Sequence, residues 1–256
     1  MQNNITAVIW AYNQEKNIED CIRAAKLLTH NIILIDLEST DKTIEIAKGN
    51  NVQIVSHPNP KFVEPVREFG IQQAKTDWVF ILDADERITP KIAKEFRQLT
   101  TDNRQPATYF RLPRKNIFSG QKWFKHGGWW PDYQIRIINK KHFVNWPKTI
   151  HSTPNIKGEC GYFKNALLHY SHKNLERMVK TTIIFEDQES DLLYQADKPV
   201  TTLTFFRKFN GELFRRLIKS CGFLDGNIGI IESIYQAFSK TITYLFLYEK
   251  KNRRSL

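Results

Sequence analysis

Four apolar runs of strand length alternate with helical segments through the first hundred residues, and that alternation limits the fold more than any other feature of the chain. The runs are ITAVIWAY (5–12), NIILIDL (31–37), VQIVSH (52–57) and WVFILDADE (78–86). Between them, KNIEDCIRAAKLL (16–28) reads as an amphipathic helix, TIEIAKGN (43–50) as a short helix closed by Gly49 or Asn50, and EPVREFGIQQAK (64–75) as a third helix. Strands with so little internal polarity must be buried on both faces, which predicts an α/β fold built on a parallel sheet with helices above and below. After residue 100 the pattern changes. TYFRLPR (108–114) and DYQIRIIN (132–139) alternate in the manner of antiparallel or mixed strands and flank the loop KHGGWWPD (125–132). From Lys173 onward the chain reads as helical, over 173–195, 203–221 and 227–250, with a break near Asp197 to Val200.

Ligands of open parallel sheets sit beyond the carboxyl ends of the strands. Those ends carry Tyr12 and Asn13 after the first strand, Asp36 on the second, and Asp83 and Asp85 on the fourth. Asp83, Asp85 and Glu86 lie within four residues, and carboxylates that close repel one another unless a cation or hydrogen bonds compensate. A hard divalent cation, Mg²⁺ or Mn²⁺, would do so with Asp83 and Asp85 as ligands. The plainer reading is a pair of solvated acids preceding the helix PKIAKEFRQL. The chain contains neither a GxxxxGK[ST] loop nor a GxGxxG after its first strand, so a P-loop or a dinucleotide fold is not supported. A metal held by few protein ligands takes a diphosphate to complete its shell, which points to a nucleotide-sugar donor. Arg67 would add positive charge there, or else pair at the surface with Glu64 or Glu68.

Charge separates the remaining function classes. The net charge of +11 is concentrated: 104–148 carries +9, with Asp132 its sole acid, and 198–256 carries +7. Such zones favour anionic partners, or are simply solvated lysine faces. A nucleotidyltransferase would show a Gly-rich basic loop after the first strand, where this chain has AYNQEKN. A nucleic-acid-binding module could use the basic zones but would leave the acidic strand ends repelling phosphates, so nucleic acid is not an expected partner. The three cysteines, Cys21, Cys160 and Cys221, form no CxxC pair and suit a reducing compartment. With no signal-like N-terminus and no apolar run of the roughly 18 residues a bilayer demands, a cytoplasmic or peripheral location is expected.

Six segments together resemble glycosyltransferase family 2. They are AVIWAYNQEKNIEDCI (7–22), ILIDLESTDKT (33–43), VREFGIQQAKTDWVFILDADER (66–87), KHGGWWPDYQIRI (125–137), LLHYSHKNLERMV (167–179) and GFLDGNIGIIESIYQAFSKTITYLFLYEK (222–250). The nearer likeness is to the branch that includes the lipopolysaccharide inner-core β-1,4-glucosyltransferases. The resemblance implies a GT-A fold and an inverting transfer of a sugar, glucose in that branch, from a UDP-linked donor to a glycan or glycolipid such as lipopolysaccharide core. It implies that Tyr12 and Asp36 face the base and ribose, Arg67 the nucleotide, Asp83 the ribose or donor sugar, and Asp85 the metal. It also implies a catalytic domain over 1–197, with 1–100 for the nucleotide sugar and 101–172 for the acceptor, and a helical appendage over 198–256. The chain departs from the family at Asn13-Gln14, where Asn-Glu is usual, at Leu37-Glu38, where Ser-Gly is usual, and at Ile150-His151-Ser152, where Val-His-Glu is frequent.

An inverting transfer needs a base for the acceptor hydroxyl. Asp132 is the candidate, as the lone acid of a basic stretch directly after the Gly-Gly-Trp-Trp-Pro loop; the alternatives are a turn aspartate or an ion pair with Arg136. Trp129 and Trp130 offer flat faces to a sugar, or else pack into the core, and Arg136 is grouped with them on the acceptor side. His169 and His151 are not assigned to the metal; His169 reads as a hydrogen-bonded core histidine. On a helix over 203–221, Phe206, Phe209, Leu213, Leu217 and Cys221 share one face, with Lys208, Arg215 and Lys219 opposite. That pattern suits either an anionic membrane surface on the inner face of the cytoplasmic membrane or docking onto the catalytic domain.

Overall fold

A computed structural model describes residues 4–60, 62–101, 107–118, 122–170 and 175–253. In chain order the elements of the first part are β1 (Ile5–Ala11), α1 (Ile18–Ala25), β2 (Ile32–Asp36), α2 (Thr43–Gly49), β3 (Gln53–Ser56), α3 (Glu64–Gln73), β4 (Trp78–Asp83), β5 (Glu86–Arg87) and α4 (Pro90–Thr101). Strands β6 (Ala107–Phe118), β7 (Lys122–Trp123), β8 (Asp132–Asn139), β9 (Phe143–Asn145), β10 (Asn155–Ile156), β11 (Glu159–Tyr162) and β12 (Leu167–His169) follow. The chain ends in α5 (Leu175–Gln195), α6 (Thr202–Leu213), a π-helical turn (Phe214–Lys219), a 3-10 turn (Gly222–Asp225) and α7 (Asn227–Asn252). The alternating first hundred residues thus fold as their pattern predicts. The helix expected from Lys173 is described from Leu175; residues 171–174 lie outside the described set.

The chain divides into two compact units, one made of Met1–Lys115 and Asp132–Tyr170, the other of Asn116–Pro131 and Ser171–Leu256. The division differs from a cut at residue 197, because the loop carrying Trp129 and Trp130 and the whole of α5 go with the C-terminal helices. Among the described residues no helix is long and apolar enough to cross a membrane.

The main sheet runs β3-β2-β1-β4-β8-β6-β12-β5. Strands β3, β2, β1 and β4 are mutually parallel, whereas β8 is antiparallel to both β4 and β6. Alternation along β1 explains why both faces are covered. Ile5, Ala7, Ile9 and Ala11 join Ile18, Cys21 and Ile22 of α1 in one core, while Val8 and Trp10 join Val66 and Ile71 of α3 in the other. Each face therefore needs its own helix layer.

Register fixes which side chains meet at the carboxyl end. Trp10 pairs with Asp83 and Ala11 with Asp36, so the acids of β2 and β4 flank the end of β1. Asp132 opens β8 directly opposite Arg114 of β6, and β12 sets His169 opposite Glu86 of β5. Glu38, just after β2, holds φ +61, a left-handed turn made without glycine's freedom.

Close approach of α3 to β1 depends on Gly70. A Cβ there would lie 2.8 Å from Trp10 Cε2 and 3.0 Å from Ile35 Cγ1, both buried. Gly70→Ala is expected to destabilise the protein by about 2 kcal/mol, because overpacking against a fixed indole outweighs the helix propensity gained. A urea denaturation curve with a lowered midpoint and unchanged slope is the check.

Candidate active site

Loops after β1 and β2 are tied together by side chains that cap each other's backbone. Asn13, at φ +51, accepts from Thr40 N–H at 2.8 Å and donates its own N–H to Ser39 Oγ at 3.0 Å. Gln14 N–H donates to Thr43 Oγ1 at 2.7 Å, and Glu15 N–H to Asp41 Oδ2 at 3.0 Å. Buried Asp36 accepts from Ser39 N–H at 3.2 Å. Tyr12, just beyond β1, is exposed. The first two strands therefore present a rigid rim with one open aromatic ring and one buried carboxylate.

Beside that rim the acids of β4 meet arginines. Asp83 Oδ1 accepts from Arg67 Nη2 at 2.6 Å, and its Oδ2 accepts from Arg136 Nη2 at 2.7 Å. Burial alone would raise the Asp83 carboxyl, but Arg67 and Arg136 outweigh it and hold the group well below the ordinary carboxylate range. Glu86 is fully buried; its Oε2 accepts the Asp83 N–H at 3.2 Å, while its Oε1 accepts from Arg136 Nη2 at 2.7 Å and Arg114 Nη1 at 3.3 Å. Arg114 reaches onward to Asp132, with Nε 2.9 Å and Nη2 2.7 Å from Oδ2, and Gln134 donates to Asp132 Oδ1 at 2.7 Å. Arg67, Asp83, Arg136, Glu86, Arg114 and Asp132 form one chain of alternating charge across β4, β5, β6, β8 and α3.

The acidic tip is thus compensated by guanidinium groups from within the protein, where the sequence pointed to a divalent cation. Of the two aspartates expected to hold that ion, Asp83 has both oxygens on arginines. Asp85 instead lies against His169, Oδ2 to Nε2 at 3.5 Å, with both side chains partly open. Burial would raise the Asp85 carboxyl, yet His169 prevails and the group sits below its usual range. A carboxylate oxygen suits Mg²⁺ or Mn²⁺, and an imidazole nitrogen beside it favours Mn²⁺ of the two. Among the described residues no three ligating side chains gather at metal-binding spacing, so an ion at Asp85 and His169 needs further ligands from a substrate.

Arg67 does not form the surface pair considered with Glu64 or Glu68. Those two accept the backbone N–H groups of His151 and Trp146, at 3.0 and 3.1 Å. The Arg67 guanidinium lies buried, 4.7 Å from the Trp10 ring centre and 5.8 Å from that of Trp146. Its Nη1 is buried and, among the described residues, has no hydrogen-bond partner. Arg136, grouped in the sequence with the acceptor residues, is buried against Asp83 and Glu86, and the arginine on Asp132 is Arg114. Neither Glu86 as the joint of this network nor Arg114 was singled out from sequence. Their one signal is a third acid, in a cluster whose other two have evident roles.

Trp129 and Trp130 belong to the second unit. There Trp129 stacks on Phe124 with ring centres 5.9 Å apart, and the Arg216 guanidinium lies 5.2 Å from its ring centre. Trp130 meets Trp123 edge to face at 5.2 Å. Buried Asp225 holds the loop by accepting the N–H groups of Lys125 and His126, at 3.0 and 2.9 Å.

Residues 6–167 match the family described as Glycosyl transferase family 2. An uncharacterized glycosyltransferase of Rickettsia bellii is 25% identical over 97% of this chain and 87% of its own length. Another, from Rickettsia conorii, is also 25% identical, over 97% of this chain and 91% of its own. Among solved structures, TarS 1-349 of S. aureus aligns over 99% of this chain and 92% of its own with a TM-score of 0.50 at 13% identity, a likeness of fold.

Replacing the buried joint tests the network. Glu86→Gln keeps the shape but leaves Arg136 and Arg114 short of one negative charge, so a loss of about 3–5 kcal/mol in unfolding free energy is expected by chemical denaturation.

Proposed function

Because the chain belongs to glycosyl transferase family 2, and is a glycosyltransferase of GT-A fold, we propose that it moves a sugar from a nucleoside diphosphate to a glycan or glycolipid hydroxyl with inversion at the anomeric carbon. The observation that carries this reading is the meeting, at one end of the sheet, of strand-end acids, a buried arginine with a nitrogen unpartnered among the described residues, and an oriented aspartate. Asp36 and Tyr12 take the base and ribose. Arg67 directs Nη1 toward the nucleotide while Nη2 fixes Asp83 against the ribose or donor sugar. Uridine is the first nucleotide to test, since TarS, which shares this fold, has been solved with UDP-GlcNAc. Glucose as the transferred sugar and lipopolysaccharide core as acceptor follow the branch resemblance.

In the proposed reaction Asp132 accepts the proton of the acceptor hydroxyl as that oxygen bonds to the anomeric carbon. The bond to the diphosphate breaks and its electron pair leaves with the nucleotide. Arg114, on Oδ2, and Gln134, on Oδ1, fix the carboxylate's orientation. Mg²⁺ or Mn²⁺ held by Asp85 and His169 would supply positive charge for the departing diphosphate. We assign nucleotide-sugar binding to 1–100 and the acceptor side to 101–172. The proposed location is the cytoplasm, at the inner face of the cytoplasmic membrane.

Two measurements test the reading. Asp132→Asn is expected to lower kcat by about 10²–10⁴-fold while UDP affinity by calorimetry stays within twofold; normal turnover removes the assignment. UDP with Mn²⁺ at about a hundred times Kd should stabilise the wild-type protein by roughly 2.7 kcal/mol. Asp85→Ala should lose the part of that stabilisation that depends on Mn²⁺, read by thermal shift with and without chelator.

A further inference from the structure

A folded helix ordinarily turns its large apolar residues inward, and the segment from Thr202 to Leu224 does not. Leu203, Phe206, Phe214, Ile218, Phe223 and Leu224 are all exposed, Leu203 and Phe206 to 64%. Of the single stripe expected through Phe206, Phe209, Leu213, Leu217 and Cys221, the last four are half-buried and Phe206 is exposed, and α6 passes at Phe214 into a π-helical turn that changes the spacing of side chains. Leu213, Leu217 and Cys221 turn partly inward, while Phe214 and Ile218 stay outside. The 3-10 turn then sets Phe223 and Leu224 side by side in solvent. Apolar surface on this scale marks an interaction site.

Charge identifies the partner. Arg207, Lys208 and Lys219 are exposed among these apolar residues. Arg207 follows Leu203 by four positions and so lies beside it on the helix. The only acid between 201 and 224 is Glu212, which is mostly buried and neutralised by Arg215 and Arg216. A second copy of the chain docked through this face would set the same cations against each other. An anionic surface would be attracted by them while the apolar side chains enter its hydrocarbon boundary. Helix α7 packs along α6, with Phe205 and Tyr248 ring centres 6.5 Å apart, and leaves Ile231, Ile234 and Phe238 exposed too.

We propose that residues 202–224 dock the protein onto an anionic lipid bilayer, with Leu203, Phe206, Phe214, Ile218, Phe223 and Leu224 entering the interface and Arg207, Lys208 and Lys219 meeting the headgroups. The proposal is independent of the sugar-transfer reading, since none of these residues belongs to the strand-end site.

Co-sedimentation of the full-length protein with vesicles of phosphatidylcholine, with and without 30% phosphatidylglycerol, tests it, the latter fraction being about that of a moderately anionic membrane. Recovery in the pellet is expected with the anionic vesicles, falling on their replacement by phosphatidylcholine and on raising the salt. The double variant Arg207→Gln with Lys219→Gln should weaken partition about thirtyfold. Phe206→Ser with Leu224→Ser should abolish it; both pairs change only exposed positions, and unaltered circular dichroism and UDP affinity show that the fold survives. Equal recovery on both vesicle types, or none on either, overturns the proposal. So does a concentration-dependent dimer by ultracentrifugation that dissociates in Phe206→Ser while vesicle binding stays at background, which would assign the face to a second copy.

Discussion

A carboxylate with no access to water holds the carboxyl end of the sheet together. Glu86 accepts from two guanidinium groups and from the Asp83 backbone, and through those arginines it reaches both the acid of β4 and the acid that opens β8. Such an arrangement is a weak source of net stability, since desolvating so many charges consumes most of what their attraction returns. Its effect is geometric. An unpaired buried charge is costly, so β4, β5, β6 and β8 cannot shift register without stranding one. Asp83 and Asp132, far apart in sequence, are thereby fixed relative to each other.

The apolar layers serve the same end. Gly70 lets α3 lie against Trp10, whose indole N–H donates to Val66 O at 3.1 Å, and that contact sets Arg67 over the Trp10 ring with its fork toward Asp83. A guanidinium flanked by two indoles loses rotational freedom before any ligand arrives, and less remains to be lost when one binds. Packing in the core of β1 and α3 is therefore also preorganisation of the site.

What could be read from sequence follows the range of the interactions. The parallel half of the fold was legible because buried strands announce themselves locally and one topology rule places their carboxyl ends together; Asp36 and Asp83 needed nothing more. Arg136 was misplaced for the opposite reason. In DYQIRIIN the alternation puts Asp132, Gln134 and Arg136 on one face, but β8 is sandwiched between β4 and β6, and the cross-strand register decides that Arg136 reaches Asp83 while Arg114 takes Asp132. The second unit was harder still. Its helices were visible, yet the π-helical turn after Leu213 and the recruitment of 116–131 rest on contacts between distant segments, such as Asp225 with Lys125 and His126.

The arginines also bear on when an ion would matter. Four carboxylates, Asp83, Asp85, Glu86 and Asp132, stand against Arg67, Arg114 and Arg136, with His169 beside Asp85. The cluster is within one charge of balance from its own side chains, so its folding does not depend on a divalent cation. A diphosphate brought to that end of the sheet would upset the balance by adding negative charge next to Asp85, and only then does a cation become electrostatically necessary. On the proposed reading, metal and nucleotide therefore belong to one binding event. Asp85 and His169 would hold such an ion from the protein's side, and it would supply the positive charge that the diphosphate calls for, while Asp83 is paired with Arg67 and Arg136.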